Sequence, residues 1–440
     1  MPRLTPPILS LPESAGGLLR ERLGLGETEA LRITYIPGPG DIRTTYDWWK
    51  KGDFDPRVPS IAYSTMFFEL CAALGNVTAQ IVIRSDRPAP PFVEEGFRFD
   101  TAAYRHANGR IGYFLARLRY VSGCLLAMRR FKPHIAVVAS DFDWQYLPLA
   151  GLFAGKVILS VHNTRWPMGE RTGGRATLKD RLYGEALKTA PAAVCTSHEC
   201  ERQIRILARR GLWSREKIPP QGASQDQERA PVEPAAAIKT FVAAPQQVAL
   251  PEAPPVNPEP ERLLYLGRIE RPKGVFDLLD AYETLARSKP NLSLVFAGGG
   301  GALDDLKAEI AARKLGDRVQ APGHLDSRRA HEELRRTDLL VCPTRTDFNE
   351  GLAFVCFEAA GYGVPVVMSS VVPARDLLAG GCIVFKANDT QALAAAIAEA
   401  FGNCTYESLR SNARLHGQIT LDRSMAWGSQ LYRAMAAAAG

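Results

Sequence analysis

Short apolar runs alternate with longer amphipathic segments along most of this chain, and Gly, Pro or Asn marks most changes of period. In the first half the pattern predicts strands over 31–36, 79–83, 134–139, 156–161 and 192–196. Helical periodicity falls on 60–74, 110–130, 178–189 and 197–210, the last with Ser197 as its N-cap. In the second half, strands over 262–266, 292–296, 319–321, 339–343, 364–368 and 382–385 alternate with helices over 274–288, 302–314, 328–336, 352–360 and 391–401. Residues 406–439 read as mostly helical, with Trp427 as a buried anchor. Strand–helix alternation of this kind predicts an α/β protein built on parallel sheets.

The alternation fails in two places. Residues 1–30 show no period and read as a disordered leader, while 219–260 hold ten prolines and read as a linker. The expected organisation is therefore one Rossmann-like domain over 31–218, a second over 261–405, and closing helices over 406–440 that return to the first domain. A cleft between two such domains is the expected place for a ligand.

Composition narrows the class. At 440 residues, 46% apolar and 23% charged, the chain has globular values and room for two domains. Through Ile218 it carries 31 Lys+Arg against 21 Asp+Glu; the remainder carries 23 against 26. The first domain is thus the basic one, which suits an anionic partner or membrane surface. Its eight cysteines form no C-x-x-C pair and several sit in apolar runs, as expected of reduced thiols in a cytoplasmic protein. No apolar stretch has the length of a membrane span, and residues 1–30 contain no apolar signal core.

Two stretches carry candidate chemistry. Between predicted strands, Asp347-Phe348-Asn349-Glu350-Gly351-Leu352-Ala353 leads into a helix, so Glu350 stands at a helix N-terminus and Glu358 inside that helix. The eight-residue interval itself says little, because Glu13, Glu21 and Glu29 repeat it. At the start of the second domain, Gly267-Arg268 and Lys273-Gly274 put two cations between a strand end and a helix, an arrangement that favours a diphosphate.

Taken in order, Gly267-Arg268, Lys273-Gly274, Ala297-Gly298-Gly299-Gly300 and 350–367 resemble the family 4-type retaining glycosyltransferases of the GT-B fold, also called glycosyl transferases group 1. The likeness covers nearly all of 262–400 and continues more weakly at 133–138 and 157–163. It implies catalysis by His162, Arg268, Lys273 and Glu350, the two cations holding a nucleotide diphosphate and Glu350 the donor sugar. It also implies donor contacts from Gly38, Gly40, Gly267, Gly298, Gly351, Leu352 and Ala353, with Glu358 on the ribose hydroxyls. Where the family has a Gly-Gly loop after the first strand, this chain has Pro37-Gly38-Pro39-Gly40-Asp41. The implied activity is retaining, metal-independent glycosyl transfer in polysaccharide or glycoconjugate synthesis. It uses a nucleotide-diphosphate sugar as co-substrate, no cofactor, and a glycan, lipid-linked or small-molecule acceptor. Two alternatives stay open: a non-catalytic relative that binds a nucleotide or glycan as a partner subunit, and a nucleotide-sugar epimerase on the same fold.

Asp143 (in Asp141-Phe142-Asp143) and the basic stretch containing Arg165, Arg171 and Arg175 are candidates for the acceptor side. The Asp-x-Asp spacing also fits a metal–diphosphate, but the two-domain organisation argues against the fold that uses it. Gly298–Gly301 lacks the G-x-G-x-x-G pattern and its acidic follower, which argues against a dehydrogenase. No nucleic-acid-binding module accompanies the positive charge.

Overall fold

A computed structural model of the chain describes residues 4–58, 60–87, 89–105, 109–139, 142–168, 177–209 and 238–440. Its first sheet is built from β1 (Leu31–Ile36), β2 (Val77–Ser85), β3 (Phe92–Glu94), β4 (Phe97–Ala103), β5 (Ile135–Ala139), β6 (Lys156–Val161), β7 (Ala192–Cys195) and β8 (Lys239–Val242). They lie in the order β3-β4-β2-β1-β5-β6-β7-β8, all parallel except for the antiparallel β3–β4 pair. One face is covered by α1 (Ala15–Arg22), α2 (Ile42–Lys50) and α3 (Tyr63–Leu74), the other by α4 (Gly109–Phe131), α5 (Leu147–Phe153), α6 (Leu178–Leu187) and α7 (His198–Ala208). Central strands such as Ile135-Ala136-Val137-Val138 are buried on both faces and therefore apolar without alternation.

The second sheet runs β11-β10-β9-β12-β13-β14, every pair parallel. Its strands are β9 (Arg262–Leu266), β10 (Ser293–Ala297), β11 (Val319–Gly323), β12 (Leu339–Cys342), β13 (Val366–Ser369) and β14 (Cys382–Phe385). Around it stand α8 (Val275–Ala286), α9 (Leu303–Ala312), α10 (Ser327–Arg336), α11 (Phe354–Gly361), α12 (Thr390–Ala400) and α13 (Asn403–Gly417). Side-chain caps fix several starts: Ser197, Asp326 and Asp389 accept the backbone N–H groups of Cys200, Arg329 and Ala392 at 3.2, 2.8 and 2.9 Å.

The last helix, α14 (Trp427–Ala439), leaves the second domain and packs on α3, β7 and β8 of the first. Trp427 is fully buried there, and its indole N–H donates to Ser160 Oγ at 2.8 Å. Among the described residues, no helix is long and apolar enough to cross a membrane.

The structure adds α2, β3, β4 and α5 to the elements expected from the sequence and departs from it elsewhere as well. Described residues 4–30 are packed rather than loose: Leu4, Ile8 and Leu19 join the first-domain core. Arg20 is buried because its guanidinium donates to the carbonyls of Leu74, Gly75 and Asn76, which end α3. Of the expected linker, 219–237 lie outside the described residues; 239–242 form β8, which extends the first sheet beside β7. Finally, α11 begins at Phe354 rather than Leu352, since Ala353 takes a left-handed φ of 63° and closes the preceding loop.

The docking of α14 predicts that Trp427→Ala destabilises the first domain by about 3–5 kcal/mol, the usual cost of emptying a buried aromatic site. Chemical denaturation should show the loss, and hydrogen exchange should locate it in β6 and β7 rather than in the second sheet. Equal loosening of both sheets would contradict the packing described.

Candidate functional site

Strand order reverses once in each sheet, between β1 and β5 and between β9 and β12. Loops leaving the C-terminal ends of these strands diverge and open a crevice, the usual ligand position in parallel α/β sheets. Here the two crevices face one another and enclose a cavity of about 820 Å³. The first domain contributes Pro37 to Asp41, Tyr63 and His162; the second contributes Gly267, Lys273, Thr344 and Gly351 to Val355.

Lys273 and Glu350 meet at the second crevice. The Lys273 ammonium lies 2.6 Å from Glu350 Oε2, and Thr344 donates its hydroxyl to the same oxygen at 3.0 Å. Both side chains are largely withdrawn from water, at 15% and 8% exposure. The loop is held in place by Gly274, in a left-handed conformation (φ 74°) where a Cβ would stand 2.0 Å from the Pro343 carbonyl oxygen. That contact seats the Lys273 turn on the end of β12, the strand that also delivers Thr344. Arg268 stays outside the cavity lining, 62% exposed and paired with Glu270 at 2.8 Å. Both cations nevertheless approach one ring: Lys273 Nζ is 4.2 Å and the Arg268 guanidinium carbon 5.4 Å from the centre of Phe348.

Across the cavity, His162 follows β6 and packs against Tyr63, ring centres 4.4 Å apart. Its Nε2 is 2.9 Å from Ser160 Oγ, which already accepts the indole N–H of Trp427. The Ser160 hydroxyl therefore bridges the Trp427 indole and the His162 imidazole. Burial lowers the His162 pKa to about 4, and the ring is neutral at pH 7. The two domains touch at this point. A Cβ on Gly351 would stand 2.6 Å from the His162 carbonyl oxygen, and Thr164 donates to the Glu350 carbonyl at 3.3 Å. Only glycine allows so close an approach.

The remaining candidates are scattered. Gly38, Gly40, Gly267, Leu352 and Ala353 line the cavity, whereas Gly298 lies behind Gly267 and donates its N–H to Gly323 at 2.9 Å. Glu358 sits within α11, buried, with no side-chain hydrogen bond among the described residues; burial raises its pKa to about 7. Asp143 is occupied by Arg117, which holds both its oxygens at 2.6 and 2.7 Å. Arg165 is stacked between Trp144 and Tyr183, 4.3 and 4.5 Å from their ring centres, away from the cavity. Asp141, Arg171 and Arg175 lie outside the described residues. Among the described residues, no group of three or more His, Cys, Asp or Glu is arranged to hold a metal ion.

Sequence reasoning missed part of the wall. Asp41, Asp55 and Arg57 line the first-domain side, where Arg57 binds Asp41 at 2.9 Å and Asp55 at 2.8 Å. This staple holds Asp41, the N-cap of α2, just after the Pro37–Gly40 loop. Tyr63 had no local signal; Thr344 had one, standing two residues past the end of β12.

Comparisons with known proteins agree with this architecture. Residues 247–416 match the family described as "Glycosyl transferases group 1". Over 112 residues the chain is 35% identical to a glycogen synthase of Mycobacterium tuberculosis, covering 26% of each protein. The chain thus spans about a quarter of the length of that curated relative. Sucrose-phosphate synthase from Thermosynechococcus elongatus superposes with a TM-score of 0.61 at 18% identity, over 92% of this chain and 98% of that one. Anabaena HepE in complex with UDP and glucose does so with a TM-score of 0.53 at 14% identity, over 89% and 97%. The second domain is thus similar to the glycosyl transferases group 1 family, and the whole chain has the two-domain GT-B fold.

Proposed function

We propose that the cavity between the domains binds a nucleotide-diphosphate sugar and transfers its sugar, with retention and without a metal ion, to an acceptor held by the first domain. The observation that carries this reading is the Lys273–Glu350–Thr344 cluster, set at the reversal point of the second sheet and facing His162 across a shared cavity. A nucleotide sugar as donor is also supported by the UDP and glucose of HepE.

Each group has a task in the reaction. Cleaving the sugar–phosphate bond builds negative charge on the leaving diphosphate. Lys273, Arg268 once released from Glu270, and the N-terminal amides of α11 stabilise that charge where a metal would otherwise be needed. Glu350 is held by Lys273 and Thr344 and accepts donor sugar hydroxyls with its remaining lone pairs. Glu358 accepts the ribose hydroxyls. The neutral His162 orients the sugar rather than acting as an acid at pH 7. Contact between the domains excludes water, which would otherwise hydrolyse the donor. A leaving phosphate oxygen takes the acceptor proton on the same face, so no side-chain base is required.

The acceptor is a glycan, a lipid-linked sugar or a small polyol, in polysaccharide or glycoconjugate synthesis. Seven described cysteines are free thiols, which supports a cytoplasmic location. The basic first domain suits peripheral contact with an anionic membrane.

Lys273→Ala should lower kcat/KM for transfer by about two to three orders of magnitude, the usual effect of removing one preorganised charge-stabilising group. A radiolabelled nucleotide-sugar transfer assay measures this, and unchanged transfer would remove the residue from the site. For Glu358 the sign follows from its raised pKa. The unfolded carboxyl releases its proton near 4.5 and the folded one near 7, so stability falls as pH rises through that window. Glu358→Gln should therefore be more stable than the parent above pH 7 and lose that advantage below pH 4.5, read by thermal denaturation across pH. A stability difference independent of pH would show that Glu358 is not the buried titrating group.

A further inference from the structure

The outer surface of the first domain carries apolar side chains that are exposed among the described residues. On α4, Ala116, Tyr120, Cys124 and Met128 follow helical spacing into the core. The opposite side of the same helix is also apolar: Ile111, Leu115, Leu118 and Leu126 point to solvent, Ile111 at 78% exposure. A surface helix normally presents polar residues there. Its neighbours repeat the pattern, with Leu152 of α5 at 74% and Leu178 of α6 at 70%. The helices α4, α5 and α6 pack in sequence along one face of the sheet, so their outer sides form one surface.

Charge selects among possible occupants. Helix α4 holds five arginines and no carboxylate, and Arg119, Arg129 and Arg130 are exposed beside the apolar stripe. Helix α5 has no charged residue; on α6, Asp180 is buried in its own capping box and Glu185 is paired with Lys188 at 2.8 Å. Two copies of the chain meeting on this surface would oppose like charges, which disfavours self-association. An apolar stripe flanked by arginines, with Tyr113 and Phe114 exposed at one end, matches instead the interface of a bilayer rich in anionic lipid.

Position relative to the cleft fits as well. These helices run antiparallel to their strands, so their N-termini lie at the C-terminal edge of the sheet, where the cavity opens. The Arg117–Asp143 pair ties the third turn of α4 to the loop after β5 at that edge. We propose that the outer faces of α4, α5 and α6 form an anionic-membrane docking surface that sets the cleft mouth against the lipid plane. This deepens the peripheral-contact reading above, but its test is independent of whether the cleft transfers sugar.

The test is co-sedimentation of the full chain with vesicles of phosphatidylcholine alone or mixed with phosphatidylglycerol. Binding to the anionic vesicles should exceed binding to neutral ones at least about tenfold and weaken with salt. Leu115→Gln with Leu118→Gln should lose binding at unchanged melting temperature, since both positions are exposed. Arg129→Gln with Arg130→Gln should reduce the preference for anionic vesicles. No binding by the parent chain, equal binding by the leucine variant, or a dimer in solution that the leucine variant disperses would each overturn the proposal; the last would assign the stripe to a protein interface.

Discussion

The contact on which the site depends is the ion pair between Lys273 and Glu350, made at 2.6 Å with both groups mostly out of water. Either charge alone would be expensive there, since a buried ion without a partner carries its full desolvation penalty. The pair therefore fixes two loops together: the turn before α8, which brings Lys273, and the loop before α11, which brings Glu350. Thr344, from the start of the same loop that brings Glu350, completes the arrangement. A ligand phosphate can share the ammonium without leaving the carboxylate buried and alone, because Thr344 still donates to it.

A second chain of contacts fixes the opposite wall. Trp427 comes from the last helix, reaches into the first domain, and donates to Ser160, which in turn hydrogen-bonds His162 Nε2. The C-terminal helix is thus both the strap that ties the ends of the molecule together and the source of the orientation of a ring in the cleft. Removing its indole would change stability and the imidazole at once.

Much of the fold was legible because buried parallel strands leave a strong local signal. The first strand of each domain, 31–36 and 262–266, falls where the apolar runs place it, and Ser197 caps the helix it was expected to cap. Elements whose burial depends on tertiary partners left weaker signals. Helix α2, Ile-Arg-Thr-Thr-Tyr-Asp-Trp-Trp-Lys, mixes polar and aromatic residues that make sense only against Phe68, Phe97 and Phe99. Residues 4–30 have too little period to predict order, yet Arg20 finds three carbonyls more than fifty positions away. The site follows the same rule. Gly267, Lys273 and Glu350 stand in motifs and meet at the cavity; Asp55, Arg57 and Tyr63 reach the same cavity only through folding. Arg268 and Glu358, equally visible as residues, line its margins or its supporting helix instead.

The most direct test of the central claim is a crystal structure of the protein with a nucleoside diphosphate. The phosphates should lie within hydrogen-bonding distance of Lys273 Nζ, between the loops of β9 and α11, with the ribose at Glu358. A nucleotide found elsewhere, with the Lys273–Glu350 pair facing no phosphate, would contradict it.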